Sequence, residues 1–160
     1  MEPFETLVRD HAAQVWRVCR ALVGPNDVDD AWQETFLAAL SAYPTARPTR
    51  PRAWLLGIAH HKCVDLLRRR YRDPLPIVSD VEGLAAPGWS REAASGAVDD
   101  GDVWRVVAQL PPKQRQVIAY RYLGGLTYAE ISAVVGGSAA AARRAGSDGV
   151  ARLRELLKEE

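Results

Sequence analysis

The chain has 160 residues, 48% of them apolar, and 21 basic against 20 acidic side chains, for a net charge of +1. That leaves room for one or two small packed domains and excludes both a wholly disordered chain and a uniformly basic nucleic-acid coat. No apolar run approaches the roughly 18 residues of a membrane span, Met1 to Glu5 does not begin a secretory signal, and two cysteines, Cys19 and Cys63, make no disulfide framework, so a cytoplasmic chain without membrane insertion is expected.

Charge divides the chain into three parts. Residues 1–73 carry 11 basic and 9 acidic side chains (net +2), residues 74–102 one basic and six acidic (net −5), and residues 103–160 nine basic and five acidic (net +4). The middle part also holds Pro74, Pro76, Pro87, Gly83, Gly88, Gly96 and Gly101, which block helix continuation and leave little apolar surface to bury. The organisation predicted is a domain over 1–73, a flexible acidic linker over 74–100 and a second domain over 101–160.

Every periodic segment is helical, so the fold class expected is all-α. The first helix runs from about Pro3 to Val23, with Phe4, Leu7, Val8, His11, Val15, Val18 and Leu22 at helical spacing. It stops at Gly24-Pro25, where Gly24 is expected as a left-handed cap. The second starts after Asn26 with Asp27, Asp29 and Asp30 at its positive dipole end. Its apolar stripe is read as Val28, Trp32, Phe36 with Leu37, Leu40 and Tyr43, and Pro44 is expected to end it. The third begins near Pro51, carries Leu55, Ile58, Ala59, Cys63, Leu66 and Leu67, and ends in Arg68-Arg69-Arg70. Beyond the linker, Val103 to Leu110 is one helix, and Pro111-Pro112 opens another through Val117, Ile118 and Tyr122. Thr127 to Glu130 is a capping-box pattern that starts a short helix. Gly136-Gly137 turns the chain, and Ser138 caps a last helix reaching about Lys158. Short helix, glycine turn and longer helix form the pattern of a helix-turn-helix.

Several stretches go beyond pattern. The run Asp27 to Leu40, with Asp29, Asp30, Trp32, Gln33, Glu34, Phe36 and Leu37, resembles the polymerase-binding helix of bacterial sigma factors of the extracytoplasmic-function group. Pro51 to Ala59, leading to Asp65-Leu66-Leu67-Arg68-Arg69-Arg70, resembles the next helix of the same domain. Leu110 to Ile118, Arg121-Tyr122 and Gly125 to Ile131 resemble the second domain of that family. The resemblance covers nearly the whole chain except the linker. It implies a dissociable subunit that binds core RNA polymerase, directs promoter recognition and starts transcription. The first domain would dock on the enzyme and hold the minus-ten element, and the second would grip the minus-thirty-five element. Promoter DNA and core polymerase are the partners implied. An anti-sigma factor is a further partner in many relatives.

Carried residue by residue, the resemblance assigns Asp29, Asp30, Gln33, Glu34 and Phe36 to the polymerase contact, with Phe36 divided between interface and core. Arg52, His60, His61, Lys62, Arg68, Arg69 and Arg70 give the third helix a basic side with flat rings, as phosphates and unpaired bases require. The His60-His61 pair departs from the Arg-Asn usual in the family and brings pH-sensitive groups to the surface. In the second domain Lys113, Arg115, Thr127 and Tyr128 are expected to hold the DNA backbone, with Ser138, Arg143 and Arg144 on the recognition helix. Ala139 to Ala142 offer no side-chain hydrogen bonds. Gly146 and Gly149 stand where the family usually has leucine and alanine, each costing about 1 kcal/mol of helix stability relative to alanine. That helix motivates an alternative, a sigma-like regulator with degenerate recognition that binds polymerase, DNA or a partner without initiating. No nucleophile with a base and orienter is visible, and His60 with Cys63 supplies two metal ligands where zinc needs more. No catalytic residue, metal or cofactor is therefore expected.

Overall fold

A computed structural model describes residues 3–72 and 101–159, and all their regular structure is helical. The expected linker, 74–100, lies outside the described residues. Three helices, α1 (Phe4–Val23), α2 (Val28–Ala46) and α3 (Pro51–Arg72), pack pairwise on one another. The second group is α4 (Gly101–Ala108), α5 (Pro112–Ile118), a π-helical turn (Ala119–Leu123), α6 (Tyr128–Val135) and α7 (Ala139–Lys158), with α7 lying against α5 and α6.

Local chemistry explains most boundaries. Gly24 ends α1 at φ 86°, ψ 178°, an extended positive-φ geometry rather than the left-handed helical cap expected, and open only to glycine. Pro44 does not end α2. It sits in the last turn, and the helix continues to Ala46 and closes on Arg47 at φ 41°. A proline in the final turn loses one hydrogen bond and leaves no long helix to break. Thr127 and Glu130 form the reciprocal capping box, each side chain receiving the other's backbone N–H. Gly136 and Gly137 both have positive φ, at 91° and 82°, a pair that residues with a Cβ adopt only under strain. Ser138 accepts from the Ala141 N–H at 3.0 Å and starts α7.

The α2 stripe differs from the expected one. Trp32, Phe36, Ala39 and Tyr43 are buried with Val28, Ala31 and Thr35, and the Trp32 and Phe36 rings lie 4.8 Å apart. Leu37 and Leu40, expected in that stripe, are 66% and 53% exposed. At about 100° per residue, Leu37 points nearly opposite the centre of the buried set. Tyr122, also read as apolar and helical, is exposed, because the π-helical turn inserts an extra residue after Ile118 and rotates the residues beyond it.

The two groups do not stand apart. One hydrophobic cluster runs from Leu7, Val18, Leu55 and Leu56 through Val107, Val117, Tyr120, Leu126 and Ile131. At the seam α1 meets the π-helical turn, and α3 meets α6. Gly124 fits there because it lacks a side chain: a Cβ would lie 2.7 Å from Leu56 Cδ1 and 2.9 Å from the Tyr120 carbonyl oxygen.

Inside the second group, Ala142, Gly146 and Gly149 are buried at i, i+4, i+7, one face of α7. A Cβ on Gly149 would meet Ile118 Cγ1 at 2.8 Å, and one on Gly146 the Tyr128 hydroxyl at 3.0 Å. These glycines are contact positions, where helix propensity loses to close packing. Gly57 in α3 has nothing within 4 Å of a Cβ. Gly57→Ala is therefore expected to stabilise by up to about 1 kcal/mol. Gly149→Ala is expected to destabilise, since overpacking costs about 1–3 kcal/mol and outweighs the same propensity gain. Thermal midpoints moving in opposite directions would bear this out, and a rise for both would refute it.

Candidate functional site

Three surfaces carry the residues singled out in the sequence. On α2, Asp30 is exposed and Asp29, Gln33 and Glu34 are half-buried. Asp29 is anchored at its base by the Trp16 indole N–H, 3.3 Å away. Phe36 is 7% exposed and belongs to the core, so its ring is not part of an outward contact face. The apolar members of that face are Leu37 and Leu40. Asp30, Gln33, Leu37 and Leu40 follow i, i+3, i+7, i+10, a single stripe along the solvent side of α2. The same arithmetic applied to the sequence, with Trp32, Phe36 and Tyr43 taken as the inner face, would have found them.

On α3, Arg52, His61, Arg68, Arg69 and Arg70 are exposed, and His60 and Lys62 half-buried. Two of these arginines face the start of α2. Arg70 grips Asp27 with Nε at 2.7 Å and Nη2 at 3.0 Å from its two oxygens, and Arg69 approaches Glu34 at 3.6 Å. Exposed pairs of this kind contribute about 0–1 kcal/mol. They hold the basic end of α3 beside the acidic start of α2, so the two surfaces adjoin.

The other end of α3 is engaged by the second group. Gly125 lies under the Arg52 guanidinium, so that a Cβ would be 2.9 Å from its Nη1. Arg50, just before α3, reaches Glu130 of the capping box at 3.8 Å. His60 Nδ1 lies 2.7 Å from the Tyr120 hydroxyl. Tyr120 is fully buried, and a buried phenol needs a partner. Burial, then the neighbouring Cys63 and Cys19, pushes the Tyr120 pKa well up, which keeps the phenol protonated and able to donate a hydrogen bond to His60 Nδ1 in the tautomer that leaves that nitrogen unprotonated. Burial first, and His61 second, pushes the His60 pKa down. Neither Tyr120 nor Arg50 stood out in the sequence, where Tyr120 shares a short run with Arg121 and Tyr122 and nothing marks it as the buried one.

On the second group, Lys113, Arg143 and Arg144 are exposed. Arg115 is committed elsewhere, donating through Nη2 to the carbonyls of Ala108 and Leu110 at 2.9 and 3.0 Å. Its guanidinium closes the break between α4 and α5 through Nη2, a structural task that the sequence reading did not give it. Thr127 and Ser138 spend their hydroxyls on caps. Tyr128 has Arg121 5.0 Å and Arg143 5.4 Å from its ring centre, a cation–π arrangement that orients Arg143 at the start of α7.

An acidic, leucine-bearing helix, an adjoining basic helix and a capped helix-turn-helix define a class of protein: an all-helical factor that joins a protein partner to DNA. The comparisons give the class its family. Residues 7–73 match Sigma-70 region 2, and residues 100–153 match Sigma-70, region 4. The ECF RNA polymerase sigma factor SigC of Mycobacterium tuberculosis is 34% identical over 135 residues, covering 82% of this chain and 71% of that protein. SigD of the same species is 34% identical over 151 residues, covering 89% and 71%. Among solved structures, CnrH in complex with the cytosolic domain of CnrY aligns at TM-score 0.71 and 30% identity, over 98% of this chain and 88% of that one. The sigma factor RpoE in complex with the anti-sigma factor NepR from Bartonella quintana shares the fold at TM-score 0.77 and 22% identity, over 97% and 96%.

The chain belongs to the sigma-70 family, in its extracytoplasmic-function group. It is a sigma factor that directs promoter-specific transcription initiation, and the regulator without initiation is not favoured.

The seam has a pH signature. A histidine whose folded pKa is lowered contributes fully above its unfolded value of about 6.5 and loses that contribution as pH falls toward the folded value. Protonation also removes the Nδ1 lone pair that accepts from Tyr120. Between about pH 7.5 and pH 5.5 the native chain should lose more thermal stability than His60→Gln, whose amide oxygen accepts without titrating. Parallel losses in the two proteins would refute the assignment.

Proposed function

We propose that residues 1–73 dock the chain on core RNA polymerase and hold the minus-ten element, and that residues 101–160 hold the minus-thirty-five element. In the docking surface, Leu37 and Leu40 supply the apolar anchor, with Asp29, Asp30, Gln33 and Glu34 as the polar surround. Exposed leucines ringed by carboxylates and an amide have the composition of an interface hot spot. Their exposure on the solvent face of α2 is the observation that carries this reading.

Arg52, His60, His61, Lys62, Arg68, Arg69 and Arg70 are the minus-ten side, acting through phosphate contacts and ring stacking. Arg143 and Arg144 are the base-reading residues of α7, with Ser138, Thr127, Tyr128 and Lys113 supporting them near the backbone. The seam consumes part of this set, since Arg52 packs over Gly125 and His60 bonds Tyr120. Promoter binding by α3 therefore competes with the folded-back arrangement. Both solved relatives named above carry a bound partner, an anti-sigma factor in the case of RpoE, and we infer that a partner of that kind acts on this chain too. No described helix is long and apolar enough to cross a membrane, and we place the protein in the cytoplasm with no catalytic step of its own.

Run-off transcription with core enzyme and candidate promoters tests the whole reading, and no promoter-dependent product would defeat it. The docking surface has its own test. Leu37→Ala with Leu40→Ala should weaken binding to core polymerase by about 10-fold or more while the thermal midpoint stays within about 1 °C of the native value. Unchanged affinity would move the docking surface elsewhere. Arg143→Ala with Arg144→Ala should reduce minus-thirty-five binding by about 10-fold or more with docking intact; undiminished binding would remove them from base reading.

A further inference from the structure

The head of α6 and the start of α7 share one aromatic ring. Tyr128 is half-buried, and its neighbours fix where the ring lies. The Arg121 guanidinium is 5.0 Å from the ring centre and is itself tied down, donating through Nη1 to the Leu126 carbonyl at 3.0 Å. On the α7 side the ring reaches across Gly146. A Cβ at that position would lie 3.0 Å from the Tyr128 hydroxyl oxygen, 3.2 Å from its Cε1 and 3.4 Å from Val117 Cγ1 of α5. The ring occupies the space that any side chain on Gly146 would need.

Arg143 lies over this ring, 5.4 Å from its centre. Arg143 and Gly146 are i, i+3 on α7, so the residue that gives the ring its room and the residue held by the ring are neighbours on one helix face. A cation–π attraction acts between the charge and the ring quadrupole and needs no N–H donor. Among the described residues no hydrogen bond or ion pair draws on the Arg143 guanidinium, so its five donors are left for a ligand. Holding a long side chain in place beforehand also removes part of the ordering cost of binding. Arg144, about 100° further round the helix, does not share the ring. One guanidinium fork is thus set in advance at the start of α7. In the major groove the base edge that accepts such a fork at two points is guanine, through O6 and N7.

We propose that Tyr128 is a positioning residue for promoter selection: by holding Arg143, in the space that Gly146 leaves, it sets α7 to select guanine at one position of the minus-thirty-five element. The inference rests on the reading of α7 as the base-reading helix. Tyr128 acts through Arg143, so its effect falls on the preference among bases. A structural or phosphate-contacting role would instead weaken binding to every sequence alike.

The test is a selection. Core polymerase loaded with the full chain binds from a pool of duplexes randomised across the minus-thirty-five region, with core enzyme alone as background. The readout is the ratio of guanine to the next-best base at the position where guanine is most enriched, a ratio that uniform weakening leaves unchanged. Arg143→Ala should lower it about 10-fold. Tyr128→Leu should lower it about 2- to 5-fold, and Tyr128→Phe, which keeps the ring face, should retain it. Gly146→Ala, whose Cβ displaces the ring, should lower it as Tyr128→Leu does. A ratio lost in Arg143→Ala but unchanged in Tyr128→Leu, or lost equally in Tyr128→Leu and Tyr128→Phe, would overturn the positioning role and leave base reading by Arg143 standing. A ratio unchanged in Arg143→Ala, or a native holoenzyme that enriches no guanine, would overturn both. Arg143→Lys alters only an exposed side chain, keeping the charge and losing the fork. It should lower the ratio as well, so the guanine assignment stays falsifiable even if a change at Tyr128 or Gly146 disturbs folding.

Discussion

A phenol with no access to water holds the two halves of this sigma factor in register. Tyr120 is fully buried in the π-helical turn, and its hydroxyl has lost every solvent partner. Leaving such a group unpaired costs about 1–3 kcal/mol. The only remedy is an acceptor at the right place, and α3 supplies it as His60. The polar contact fixes where the first group of helices meets the second. The apolar contacts around it, Leu56 and Val18 against Gly124, depend on that placement. Hydrophobic burial brings the halves together without direction; one directional bond chooses among the ways they could lie.

That choice has a functional cost. α3 carries the residues proposed for the minus-ten element, and its seam-facing side is used for self-association. Arg52 covers Gly125, Arg50 reaches Glu130, and His60 is bonded. The far end of α3 remains outside, with Arg69 and Arg70 balanced against Glu34 and Asp27. One helix thus presents two electrostatic situations, cations against the second group at one end and cations against α2 at the other. Neither set of charges is idle in the folded chain, and the phosphate contacts proposed for α3 would draw on arginines already engaged within the protein.

The sequence revealed what local chemistry dictates. Gly24-Pro25, the Thr127–Glu130 capping box and the Gly136-Gly137 turn each act within a few residues, and each lies where the pattern put it. The family resemblance came from such local runs as well. What stayed hidden depends on partners distant in the chain. Leu40 fits an apolar repeat as well as Ala39 does, and only the placement of α1 and α3 shows that the smaller residue faces inward. Gly146 and Gly149 look like defects in a helix until Tyr128 and Ile118 are seen pressed against them. Arg115 reads only as a surface cation until its bonds to two carbonyls of the preceding break are seen. His60 and Tyr120 are 60 positions apart, and no periodicity connects them.

The leucine stripe of α2 stays outside the seam even when the halves are closed. If that stripe is the docking surface proposed above, the chain would meet its enzyme before its two halves part. Capture would then have two kinetic phases, an encounter whose rate rises with polymerase concentration and a slower rearrangement whose rate does not. On the docking surface proposed above, arrival at the enzyme and release of the second half would be separate steps, the second of them committing the chain to the promoter.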